Sequence, residues 1–162
     1  MPLREVIQDA GFLGSLAAYV LVTLLALFVG NTENILPPSS AFEVATELVF
    51  ALILLYVIVS IIRLFYFKKR PDSQKFSGFL TKIDASSFPS MHAARSTVLA
   101  SVVWQLFSFS WSAGIILGLF VLLTGFSRVY GKRHYWSDII AGWIIGGIVL
   151  ALTRWVILSS LV

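Results

Sequence analysis

Five long apolar runs leave this chain few ways to fold. They cover residues 11–29, 42–62, 93–109, 113–126 and 137–158. A crossing takes about 20 apolar residues as a helix. The expectation is an all-α, polytopic transmembrane helix bundle with about five spans. Composition agrees: 58% of the 162 residues are hydrophobic and 12% are charged, against about 45–50% and about 25% in a soluble domain. One integral membrane domain, residues 1–162, is enough for this length.

The chain has no cysteine, which excludes disulfides and leaves the redox compartment unread. Its formal charge of +4 comes from bases clustered beside apolar runs. No basic, aromatic-laced soluble surface is left for nucleic acid. The partners expected are the lipid bilayer, with its anionic headgroups, and a membrane lipid substrate. Nothing in the pattern sets an oligomeric state.

Between the runs, several local signals stand out. Leu3, Val6, Ile7 and Ala10 recur at helical spacing, as in a short interfacial helix. A cleaved signal peptide fits less well, since Glu5 and Asp9 flank Arg4 and the following run exceeds the usual ~7–15 residues. Residues 30–40 form a turn with a Pro-Pro pair, and Ser40 followed by Glu43 reads as a capping box opening the second span. That helix is expected to continue through Arg63 to Lys69 and to stop before Pro71. Residues 72–88 carry Phe76, Phe79, Leu80 and Ile83 at helical spacing, an amphipathic interfacial helix with Lys75 and Lys82 towards the headgroups; an ordinary surface loop is the bland alternative. The third run holds Arg95, Ser96, Thr97, Ser101 and Gln105, which suits a helix facing protein rather than lipid. A tight turn at 108–112 leads to the fourth. Gly114 with Gly118, and Gly142 with Gly146, form small-xxx-small pairs that allow close helix packing.

Counting crossings puts the linker between spans two and three on the same membrane face as the linker between spans four and five. Two polar segments can therefore meet: residues 89–92 (PSMH) and residues 127–138 (SRVYGKRHYWSD). Arg63 and Arg70, seven apart, can project from one helical face, and guanidinium forks bind phosphate bidentately. Residues 90–92 precede an apolar helix, whose N-terminus is a ready anion site. Three arginines, a hydroxyl and a helix N-terminus in one place point to phosphate. Two histidines, His92 and His134, suggest the reaction: one attacks phosphorus and the other protonates the leaving alkoxide. If the second segment enters its helix near Tyr135, His134 and Asp138 share a face, and the carboxylate can hold the imidazole in one tautomer.

The bland reading is that these are membrane-flanking charges. Taken singly, Arg63, Lys68, Lys69 and Arg133 fit that description, and Tyr130, Tyr135 and Trp136 read as interface anchors. It does not explain two histidines, Asp138 and three arginines converging on one side. A zinc site is under-supplied, with no cysteine and only Asp138 as a nearby third ligand. No metal and no other cofactor is expected.

These residues resemble the signature motifs of the type-2 phosphatidic acid phosphatase superfamily of membrane lipid phosphatases. That pattern reads Lys-x6-Arg-Pro, Pro-Ser-Gly-His, then Ser-Arg-x5-His-x3-Asp. Here it becomes Arg63-x6-Arg70-Pro71, Pro89-Ser90-Met91-His92 and Ser127-Arg128-x5-His134-x3-Asp138. The resemblance implies His134 as the nucleophile that forms a phosphohistidine, Asp138 as its orienter, and His92 as acid and then base. It implies Arg63, Arg70, Ser90 and Arg128, with the backbone at Met91, as the phosphate-binding set, with no metal required. Two positions depart from the pattern: Arg63 replaces lysine, and Met91 replaces a glycine whose bare backbone approaches phosphate closely. Relatives often have six spans, so the first is missing here or is the short N-terminal segment.

The function expected is hydrolysis of a lipid phosphate monoester or diphosphate, of the phosphatidate, phosphatidylglycerophosphate or polyprenyl diphosphate class. The competing readings are a catalytically silent lipid-phosphate binding or flipping protein and a lipid phosphotransferase. With Arg63, Arg70, Arg95 and Arg128 set aside as possible site residues, the face of the two motif linkers still carries Arg4, Lys68, Lys69, Lys75, Lys82, Lys132 and Arg133, whereas the other has Glu33, Glu43 and Arg154. The positive-inside rule leans towards a cytoplasmic site in the cell membrane.

Overall fold

The computed structural model describes residues 14–30, 38–72, 78, 83–106 and 110–159. Among them are five helices and no strand: α1 (Leu16–Gly30), α2 (Pro38–Phe65), α3 (Met91–Leu106), α4 (Trp111–Tyr130) and α5 (Trp136–Ser159). Three segments, Phe42–Phe65, Trp111–Tyr130 and Trp136–Ile157, are long and apolar enough to cross a membrane unaided. The protein is an all-α integral membrane bundle, as its apolar runs require.

Helix α3 packs against each of the other four helices, and its composition explains why. At 16 residues it is about 24 Å long, short of a hydrocarbon core of about 30 Å. It is lined by small side chains, with Ala93, Ala94, Ser96 and Ala100 all buried. Ser96 and Thr97 each donate their hydroxyl to the Ala93 carbonyl, at 2.9 and 3.0 Å, so they cost little in an apolar setting. Val98, Leu99 and Val102 join Leu48, Leu55 and Val59 of α2 and Val149 of α5 in the core.

The two glycine pairs behave differently. A Cβ on Gly142 would lie 2.5 Å from the Ser90 carbonyl oxygen, and one on Gly146 2.6 Å from that of Ala94. Helix α5 therefore rides on the backbone of α3, the close approach small residues permit. On α4, a Cβ on Gly114 would lie 3.0 Å from the Trp104 ring, but nothing lies within 4 Å of one on Gly118. That second position opens an apolar groove of about 390 Å³ between α3, α4 and α5 and holds no helix contact.

Both ends of α2 differ from expectation. The helix begins at Pro38, where the missing N–H is one the first turn would leave unpaired anyway. Ser40 thus sits inside the first turn, two residues past the helix start, and not before it. At the other end the last helical bond is Tyr66 N–H to Ile62 O, 2.8 Å, so the helix stops at Phe65 and does not reach Lys69. The chain beyond is captured by other partners. The Ser87 N–H donates to the Lys68 carbonyl (2.8 Å) and the Asp72 N–H to that of Lys132 (3.0 Å), while Ser87 Oγ donates to the Lys69 carbonyl (3.3 Å). The N-terminal interfacial helix, the turn at 31–37 and residues 73–77 and 79–82 of the expected 72–88 interfacial helix lie outside the described residues; of the rest, residues 83–85 are helical.

Candidate active site

The C-terminal ends of α2 and α4 and the N-terminal ends of α3 and α5 meet at one end of the bundle. They enclose a cavity of about 470 Å³ whose polar lining includes Arg63, Arg70, His92, Arg95, Arg128 and His134. Met91 also lines it. Ser90 and Asp138 do not.

Arg63, in the last turn of α2, is 8% exposed. Its Nη2 donates to the Pro89 carbonyl at 3.0 Å, and Nη1 stands 3.8 Å from Asp84 Oδ1. Arg70 arrives by a route the spacing did not foresee. It lies in the irregular segment after α2 and is drawn in as its Nη2 donates to the Asp84 carbonyl, 2.7 Å. Arg128 closes α4, and its Nε is buried with no acceptor among the described residues.

The loop from α4 to α5 carries His134. The N–H groups of Arg133 and His134 both donate to the Arg128 carbonyl, at 3.0 and 3.2 Å, so the histidine is held against the turn that carries the arginine. Its Nδ1 lies 2.7 Å from the Ser87 carbonyl oxygen. A carbonyl only accepts, so Nδ1 bears the proton and Nε2 keeps its lone pair. The ring is 3% exposed. Burial pushes its pKa below the ordinary 6.5, opposed by Asp138 and the Ser87 carbonyl and reinforced by Arg128 and Arg70.

Asp138 is 3.8 Å from His134 Nδ1, too far for a hydrogen bond. The tautomer is set by the Ser87 carbonyl, and Asp138 acts on the imidazole through its charge. The carboxylate has other partners. As third residue of α5 its Oδ2 reaches back to accept the Tyr135 N–H, 2.9 Å, one half of a capping box. Its Oδ1 accepts from Lys68 Nζ at 2.6 Å. Lys68 is therefore not a plain membrane-flanking charge; it neutralises the buried carboxylate and also lies 4.7 Å from the centre of the Tyr135 ring.

Ser90, outside the cavity lining, is the N-cap of α3: Oγ accepts the Ala93 N–H at 3.4 Å, the residue is fully buried, and its own N–H donates to the Asp138 carbonyl at 3.0 Å. Met91 is the first residue of α3, and among the described non-glycine residues only Lys132 has a positive φ. No glycine-only backbone is needed at Met91. The sequence placed Arg95 on a protein-facing helix and set it aside with Arg63, Arg70 and Arg128 as a possible site residue, but assigned it no contact, although it lies on the face of His92 three residues on. A cation inside an apolar helix was the available signal. The parts played by the Ser87 carbonyl and Lys68 had none, because every residue offers a carbonyl and many lysines flank spans.

The arrangement can hold an oxyanion among guanidiniums, present a neutral imidazole nitrogen to it, and supply a second imidazole for proton transfer. Among the described residues no three His, Cys, Asp or Glu side chains group as metal ligands do.

A family model described as the PAP2 superfamily matches residues 44–160. Among solved structures, Aquifex aeolicus LpxE is similar with a TM-score of 0.72 at 23% identity, over 94% of this chain and 85% of that one. The first transmembrane PAP2 type phosphatidylglycerolphosphate phosphatase from Bacillus subtilis gives 0.71 at 19% identity, over 94% and 75%. At such identities the likeness carries the fold.

Proposed function

The chain belongs to the PAP2 superfamily, and from that premise we propose that it hydrolyses a phosphate monoester or diphosphate on a membrane lipid through a phosphohistidine. The observation that carries this reading is one cavity lined by four arginines and two histidines, one of which has its Nδ1 proton committed to a carbonyl.

His134 Nε2 attacks phosphorus while Arg63, Arg70 and Arg128 neutralise the phosphoryl oxygens, whose charge is spread in the transition state. His92 gives its proton to the leaving oxygen. Water then attacks the phosphohistidine, its proton passes to His92, the N–P bond breaks and orthophosphate departs. Asp138 favours the imidazolium-like charge that grows on His134 when the N–P bond forms, the electrostatic part of a triad carboxylate's role. Arginines do the charge stabilisation here, so the step calls for no metal. Phosphatidate, phosphatidylglycerophosphate and polyprenyl diphosphate are the substrate classes to assay. The open end of the cavity is assigned to the cytoplasmic face of the cell membrane.

The reading is tested by rapid quench with phosphorus-labelled lipid in detergent. The wild-type protein should release phosphate and yield an acid-labile, base-stable phosphoenzyme, whereas His134→Ala should yield neither. An adduct that persists in that variant would remove His134 from the nucleophile's place.

A further inference from the structure

The cavity runs deeper than the three arginines around the phosphoryl position, to Arg95. This residue follows His92 by three positions on α3, so both side chains leave the same helix face, about 4.5 Å apart along the axis. Arg95 is 5% exposed and lines the cavity opposite Tyr56, Val59 and Ser60 of α2. Its guanidinium makes no hydrogen bond or ion pair with any described residue, and its Nε is buried without an acceptor. Tyr19, whose phenol lies near enough to act on the guanidinium electrostatically, is engaged elsewhere: its hydroxyl donates to the Leu48 carbonyl at 2.9 Å. Arg63, by contrast, keeps the Pro89 carbonyl and Asp84 as partners.

An unpaired buried cation costs several kcal/mol, and inside an apolar helix it marks a ligand or ion site. Its position says which part of a ligand it meets. The transferred phosphoryl sits between His134 and the leaving oxygen, and His92 stands at that oxygen. Arg95 lies one helical turn beyond His92 and so faces the leaving group itself. The leaving group of a simple monoester is a neutral alcohol once protonated and has no charge for a guanidinium to meet. The leaving group of a diphosphate is a phosphate.

We propose that Arg95, with Tyr56 beside it, forms a second anion subsite that binds the non-transferred phosphate of a lipid diphosphate. The proposal rests on the phosphohydrolase reading above and names the substrate class of that site. The His134 Nε2–P bond forms and the bridging P–O bond breaks, its electron pair going to the bridging oxygen. The lipid monophosphate leaves with its new charge met by Arg95 and a proton from His92. Water then cleaves the phosphohistidine as before, so the products are lipid monophosphate and orthophosphate.

The test uses the full chain in detergent, with an isoprenoid-alcohol diphosphate and the monophosphate of the same alcohol. Wild type should favour the diphosphate in kcat/KM. Arg95→Gln should lower that value by ~30-fold for the diphosphate and by under ~3-fold for the monophosphate, the size expected for one charged contact. Arg95→Lys should restore part of the discrimination. Equal losses on both substrates, or none, would overturn the subsite. A second readout needs no turnover: inorganic pyrophosphate should raise the melting temperature of wild type more than orthophosphate does, and Arg95→Gln should lose that excess. If Arg95→Gln does not fold, Arg95→Lys and the wild-type comparison of the two anions decide the matter. Pyrophosphate protecting wild type no better than orthophosphate overturns the subsite whatever the enzyme hydrolyses. Arg95-dependent pyrophosphate protection in a protein that hydrolyses neither lipid would keep the subsite and sink the hydrolase reading.

Discussion

The imidazole of His134 is useful because it is neutral with its lone pair on the cavity side, and both properties have identifiable causes. Burial pushes its pKa below 6.5, so the imidazole is in the neutral form that the proposed attack needs at neutral pH, and that form is lost only as pH falls through the lowered value. The same sign governs folding. In acid the unfolded chain takes up this proton before the folded one, so the stability tied to a neutral His134 is complete above about 6.5 and declines as pH drops through the folded-state value. Lys68 tunes the balance, since its ammonium lies 2.6 Å from the carboxylate that favours the imidazolium. Lys68→Ala should leave Asp138 acting on His134 at full charge, raise the imidazole's pKa and shift the acid limb of the kcat/KM profile to higher pH. Rates of Lys68→Ala and wild type from pH 4.5 to 8 check this; an unmoved limb would give Lys68 a purely structural role. The spacing of His134 and Asp138 was legible in the sequence. The Ser87 carbonyl that sets the tautomer was not, because it comes from the backbone of a distant loop.

At the scale of elements, the convergence of Arg63 and Arg70 was anticipated for a reason that does not hold. Their separation of seven suggested two turns of one helix, yet α2 ends at Phe65 and Arg70 lies in irregular chain. Pro71 could show only that the helix must stop before it. Where it stops is decided by Lys68 and Lys69 pairing with Ser86 and Ser87, and such contacts leave no periodic trace. Helix–helix approach was easier to read, but only by half. Gly142 and Gly118 sit in the same kind of motif, and just one meets backbone. Gly142→Ala would drive a methyl group against the Ser90 carbonyl at 2.5 Å and the Ala93 Cβ at 2.9 Å, which cannot move without displacing the start of α3. A loss of about 1–3 kcal/mol is expected, as for other overpacked cores, together with a drop in kcat because Met91 and His92 shift. Gly118→Ala has open space around it and should leave both melting temperature and rate as they are. Thermal melts and phosphate-release assays of the two variants side by side separate these outcomes.

For the whole molecule, counting crossings puts both motif linkers on one face; which face it is depends on where the Lys and Arg residues beside the spans lie, and pairing in the folded protein does not remove them from the count. With the cavity arginines set aside, Lys68, Lys69, Lys132 and Arg133 stand at the cavity end, whereas among the described residues the base at the opposite end is Arg154, which donates to Glu47 and Gln105 at 2.7 Å. That asymmetry leans towards a cytoplasmic cavity end. The cavity should therefore open to the cytoplasm. Asp72 is exposed at that end, and the chain has no native cysteine, so Asp72→Cys gives a single reporter. A membrane-impermeant maleimide should label it only after lysis; labelling in intact cells would put the cavity on the outer face, and the cations beside it would then be there for the lipid substrate and not for orientation.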